Sequence, residues 1–156
     1  MNVRGVVWAG LIASMVMGMI EMIYEAVGGA GFWSPLVFIG ATLIRDLQAL
    51  QGPVPFHAAA VVLGLMGHMM SSVIFALIFA GLVSRMTLAR GALVGTGIAY
   101  GVVVFAIMWY LVLPAVDPVM LGLNKVVFVL AHMMWGAVLG LVVPQSLGAP
   151  VGLQSA

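Results

Sequence analysis

The chain has 156 residues, 65% of them hydrophobic and 6% charged, with a mean hydropathy of +1.29 and a formal net charge of +1. A soluble domain carries about 25% charged residues, so this composition excludes a wetted globular surface and implies an integral membrane protein. No basic run is present to hold nucleic acid, and the absence of cysteine excludes disulfides, thiolate nucleophiles and Cys-ligated metals.

The first predicted span covers about 5–27. It is longer than the apolar core of a cleavable signal and runs on into Glu21 and Glu25, so it is read as a retained helix. Ala9, Gly10, Ala13, Ser14 and Gly18 form a small-residue stripe, the usual surface for close helix contact in lipid. Glu21 continues that stripe and is expected to point into the bundle. Gly28, Gly29 and Gly31 end the helix.

A short helix is predicted over about 35–50. Ser34-Pro35 is a start signal and Gly52-Pro53 a stop. Thr42, Arg45, Asp46 and Gln48 give it a wet side, which suggests an amphipathic helix in the membrane interface with Phe32 and Trp33 at headgroup level. Half of a re-entrant hairpin is the alternative.

The second span covers about 57–83 and the third about 90–113. The connection between them is short, so the two are expected to be antiparallel neighbours. Gly91, Gly95 and Ala99 recur at i+4 in the third span, as do Gly97 and Gly101, so it should pack on two partners. Pro114 is read as its stop and 115–124 as a loop. The fourth span covers about 124–143, with Gly136 and Gly140 at GxxxG spacing, and a small neutral tail follows Pro144.

RGVVWAGLIASMV in the first span resembles RGALVGTGIAYGV in the third, and LMGHMMSSVIFAL in the second resembles VLAHMMWGAVLGL in the fourth. The His-Met-Met triplets fall at matching depth. This suggests two pseudo-symmetric helix-pair repeats about an axis along the membrane normal, although apolar helices share few letters and chance can imitate a repeat. The fold class expected is therefore an all-α, four-transmembrane-helix bundle with one interfacial helix. Arg4, Arg85 and Arg90 lie on one side, Arg45 and Lys125 on the other, a weak bias toward cytoplasmic termini.

Titratable groups within spans are the candidate site. At ~1.5 Å per residue, Glu21 lies ~9 Å from the outer end of its helix, His68 ~16 Å into the second span and His132 ~12 Å into the fourth. All three fall in the outer half of the membrane. His57 and His68 are ~16 Å apart along one helix and cannot ligate one ion, so His57 is read, with Arg45, as interfacial. The plain reading of His68 and His132 is an interhelical hydrogen bond worth on the order of 1 kcal/mol. The sharper reading is a ligand site built from Glu21, His68 and His132. It would suit an axially held haem b, a divalent metal or copper, or a quinone and proton relay. Absence of any cofactor is the starting expectation. The 13 methionines, among them the Met15–Met19 pair, fit packing better than copper. Ser71 and Ser72 lack a hydrolase elbow or Asp partner, and the glycines form no phosphate loop.

GHMMSSVIFALIFAGL, RGALVGTGIAYGVVVFAIMWYLVLPAVDP and VLAHMMWGAVLGLVVP resemble the YagU-like four-helix inner-membrane proteins of bacteria. Glu21, His68 and His132 fall on that family's late acidic residue and two histidines, while FWSP after Glu25 departs from its pattern. The resemblance implies the fold and the bacterial inner membrane, and no activity. Three functions follow as expectations. The first is a non-catalytic accessory subunit of a larger, energy-transducing membrane complex, in contact with lipid, with other subunits or with itself. The second is a haem-, metal- or quinone-binding membrane protein. The third is a small-solute or ion transporter. None is an enzyme.

Overall fold

The computed structural model describes residues 2–144, and among these residues there are helices and turns but no strand. Six α-helices run as α1 (Val3–Gly28), α2 (Ser34–Ala41), α3 (Ala58–Val83), α4 (Arg90–Ile107), α5 (Leu113–Val116) and α6 (Lys125–Val142). A π turn at Met108–Val112 joins α4 to α5, so the third apolar stretch continues to Val116. Four helical stretches are long and apolar enough to cross a membrane: Val3–Gly28, Ala58–Val83, Arg90–Val116 and Lys125–Val142. The tail beyond Pro144 lies outside the described residues.

Side-chain caps set where three of the long helices begin. Asn2 Oδ1 accepts from Gly5 N–H at 3.1 Å, and His57 Nδ1 accepts from Ala60 N–H at 3.2 Å. Asn124 Oδ1 accepts from the N–H groups of Val126 and Val127. Each satisfies donors that the first helical turn leaves unpaired. His57 is thus the cap of α3, one residue before its first helical position. Gly29 ends α1 at φ +113°, a left-handed conformation that glycine adopts without strain.

Three antiparallel contacts build the bundle. Gly10 of α1 lies against Ser72, Val73 and Ala76 of α3, and the amino end of α1 meets the carboxyl end of α6 at Gly5 and Pro144. The closest contact joins α4 and α6. A Cβ on Gly97 would stand 2.1 Å from Gly136 O, and one on Gly136 would stand 2.0 Å from Gly97 O. Gly101 meets His132 O and Gly140 meets Leu93 O in the same way. Small residues let helix backbones approach until dispersion and Cα–H contacts replace side-chain packing. The Arg90 guanidinium then closes the end of this pair by donating to the carbonyls of Gly140, Leu141 and Val143, which α6 leaves unpaired at its carboxyl end.

Two expectations change. The neighbours in sequence α3 and α4 are not close neighbours along their backbones; they touch through Tyr100, whose ring lies 5.2 Å from Phe79 and whose hydroxyl donates to Phe75 O at 2.9 Å. The gap between them is the space that α4 vacates by lying on α6. The single helix expected over 35–50 is also absent. It breaks into α2 and a 3₁₀ turn at Arg45–Ala49. All of α2 except Ile39 is buried, because Leu36 O and Ala60 O sit where Cβ atoms on Gly64 and Gly40 would be. The polar residues that suggested a wet face lie beyond its end.

The glycine contacts make opposite expectations testable. Gly97→Ala and Gly136→Ala should each cost about 1–3 kcal/mol, because backbone and not a flexible side chain must yield. Gly95→Ala meets nothing within 4 Å and should gain up to about 1 kcal/mol from helix propensity. Thermal unfolding of the purified variants in one detergent checks both signs.

Candidate functional site

The gap between α3 and α4 is a partly open cavity of about 370 Å³. Met17, Gly18, Glu21 and Met22 of α1 form one wall and Phe128, His132 and Trp135 of α6 another. His68, Ser71, Ser72 and Phe75 line it from α3, Val104 from α4 and Met108 and Val112 from the π turn. Leu36 and Ile39 of α2, with Thr42, Asp117 and Met120, close one end. A π turn inside an α-helix widens the coil locally and recurs at functional sites; here it supplies two lining residues. The three residues singled out from sequence, Glu21, His68 and His132, therefore do meet around one space.

Each histidine is positioned by a backbone carbonyl. His68 Nε2 lies 3.0 Å from Ser14 O, and His132 Nδ1 lies 2.8 Å from Phe128 O. A carbonyl can only accept, so these ring nitrogens carry hydrogen. In the neutral ring the other nitrogen, Nδ1 of His68 or Nε2 of His132, is then an acceptor. The Phe128 and Phe105 rings pack on His132 at 4.6 and 6.0 Å. Gly18 of α1 lies against the His68 imidazole, whereas Gly101 of α4 lies against the backbone carbonyl of His132.

Glu21 has no such support. It is 4% exposed, and neither carboxyl oxygen has a hydrogen-bond partner among the described residues. Its neighbours on the cavity wall are mainly apolar, and the cavity is lined by no lysine or arginine. A carboxylate placed so needs a proton or a cation.

Asp117, the other acidic lining residue, is in the reverse condition. It is equally buried, but Thr42 Oγ1 donates to Oδ2 at 2.8 Å and Gln48 Nε2 donates to Oδ1. Gln48 Oε1 also accepts from Val119 N–H, and Arg45 donates to Val116 O at 2.8 Å. These bonds tie the segment after α2 to the segment after α5. Arg45 is thus spent on the end of α5 and has no part in the Glu21 cluster. A second buried chain runs from Trp135 Nε1–H to Ser72 Oγ and from Ser72 Oγ–H to Gly10 O, each 2.7 Å long. Ser72 thus joins α3 to α1 and α6. Asp117, Thr42 and Trp135 carried no sequence signal for a shared site, since the partners of each lie at least 63 residues away in the chain.

Two observations bear on the ligand readings. Among the described residues no three His, Asp or Glu side chains converge as metal ligands do, so Glu21, His68 and His132 share a cavity without forming a ligating triad. Met15 and Met19 are 51% and 42% exposed and face away from the cavity, which separates that pair from the histidines.

Fold and site together define an all-helical protein with four helices of membrane-spanning length around an apolar cavity that holds one unpaired carboxyl group and two oriented imidazoles. The chain matches no family profile, no curated protein and no solved structure.

Burial raises the Asp117 pKa above the ordinary carboxyl value, and the bonds from Gln48 and Thr42 and the charge of Arg45 only partly offset it. The unfolded chain therefore releases this proton at lower pH than the folded one, and stability is lost as pH rises through that interval. Measured against Asp117→Asn, the wild type should gain stability as pH falls from about 7 to about 4. Parallel thermal unfolding curves for the two proteins at each pH test the slope.

Proposed function

We propose that this chain is a multi-pass protein of the bacterial inner membrane that binds one small amphiphilic molecule in the cavity between α3 and α4. The observation that carries the reading is the cavity itself. Mostly apolar walls around Glu21, His68 and His132 are the usual make-up of a small-molecule site, with a large apolar surface and a few convergent polar groups. Its volume, about 370 Å³, falls within the range of ligand pockets. Helices α1, α3, α4 and α6 serve as the spans, with the termini on the cytoplasmic side, and α2 enters the bundle as a short buried helix. The reading of α1–α3 and α4–α6 as two related helix pairs rests on the His-Met-Met triplets of α3 and α6 and on the glycines through which each pair packs.

A second reading, an accessory subunit, draws on one specific feature. Gly91 and Gly95 on α4 and Gly81 on α3 have nothing within 4 Å of their would-be Cβ atoms. On a membrane helix such outward glycines admit a neighbouring helix.

Protein extracted in mild detergent should carry a bound small molecule at about one per chain by native mass spectrometry. Ser71→Phe, which places a ring in the cavity, should lower that occupancy at least tenfold without changing the elution profile. The absorption spectrum and metal content of the same sample report haem or copper. Loss of the reading would follow if wild type and Ser71→Phe were equally empty, or if partner chains co-purified at fixed ratio with an empty cavity.

A further inference from the structure

The polar groups of the cavity define which end of a ligand they can accept. Glu21 presents two carboxyl oxygens that no described residue satisfies. The histidines each donate to a backbone carbonyl, at Ser14 and Phe128, so the nitrogen each has left is an acceptor in the neutral ring. The cavity thus offers acceptors from three helices, α1, α3 and α6. Donors are few: the hydroxyls of Thr42 and Ser72 are spent on Asp117 and Gly10 O, which leaves that of Ser71. No lysine or arginine lines the space, and the remaining carboxylate, Asp117, already takes two hydrogen bonds. The other walls are apolar or aromatic, with Phe75, Phe128 and Trp135 among them, and Met17, Met22, Met70, Met108 and Met120 add deformable thioethers.

An anion or a ligand with only acceptor groups would meet acceptors here and lose its hydration without return. A bare metal ion would lack a converging ligand set among the described residues. An ammonium group on an apolar body meets every condition. Its N–H groups are donors, its positive charge pairs with Glu21, its body fills the apolar part, and aromatic faces attract cations.

Resting on the reading of the cavity as a binding site, we propose that its ligand is a lipophilic primary or secondary amine, bound as the ammonium ion with its charge on Glu21 and its N–H groups directed to Glu21, His68 and His132.

The test is equilibrium dialysis at pH 7 of purified protein in detergent, against matched protein-free micelles, with 4-phenylbutylamine and its neutral counterpart 4-phenylbutanol as probes. The amine should bind saturably at about one per chain and the alcohol at least tenfold more weakly. Glu21→Gln should lose at least tenfold in amine affinity, and Glu21→Asp, which keeps the charge, should recover part of it. If Glu21→Gln fails to fold by its elution profile, the amine-to-alcohol ratio and Glu21→Asp decide alone. Equal binding of both probes, or amine binding untouched in Glu21→Gln, overturns the amine assignment and leaves the cavity a neutral-ligand site. Binding of neither probe, together with an empty cavity by native mass spectrometry, removes both readings.

Discussion

Contact between the backbones of α4 and α6 decides the shape of everything around it. Gly97 and Gly136 bring the two helices so near that each carbonyl occupies the other's Cβ position, and Gly101 and Gly140 extend the seam. A helix can turn only one such face to one neighbour. With α4 committed to α6, its approach to α3 is left to side chains, and Tyr100 is the main one to reach across. The space that remains is the cavity. The seam that stabilises the bundle also prevents the bundle from closing on itself.

What lines that space is the outcome of two kinds of burial. Asp117, Ser72 and Trp135 are buried with partners, and their hydrogen bonds hold together segments that are distant in the chain. Glu21 is buried to the same degree as Asp117, with no hydrogen-bond partner among the described residues. In an apolar setting the first kind contributes order and the second costs free energy. Among the described residues the second kind falls on Glu21 and on the hydroxyls of Ser14 and Ser34, and of these Glu21 is the one that shares the cavity with two oriented imidazoles. The π turn divides its side chains between the cavity and α6: Met108 and Val112 line the cavity, while Trp109 and Tyr110 pack on Phe128 and Lys125 of α6.

Much of the bundle was legible in the chain. Runs of apolar residues placed four long helices to within three residues at either end. Of the small-residue stripe Ala9, Gly10, Ala13, Ser14 and Gly18, the first four are buried and Gly18 is half-buried, and Glu21 on its extension is buried. The segment over 35–50 was misread because its polar residues were averaged with an apolar helix that precedes them. Pro114 did not stop the third span, because the π turn before it lets the helix run on to Val116. The polarity of His57 and Arg45 did not disclose their partners: one caps α3 and the other binds the carbonyl end of α5.

Sequence by itself determined the helices, their buried faces and the three residues that an apolar environment makes expensive, because hydropathy, small-residue spacing and buried charge are local properties read along one helix. It did not determine which helices touch. The glycines of α4 are present on more than one face, and only the tertiary structure shows that Gly97 and Gly101 meet α6 while Gly91 and Gly95 meet nothing within 4 Å. That choice among equivalent local surfaces is made by the packing of all the helices together. It opened the gap beside α3, satisfied Asp117 across the chain and left Glu21 without a hydrogen-bond partner among the described residues.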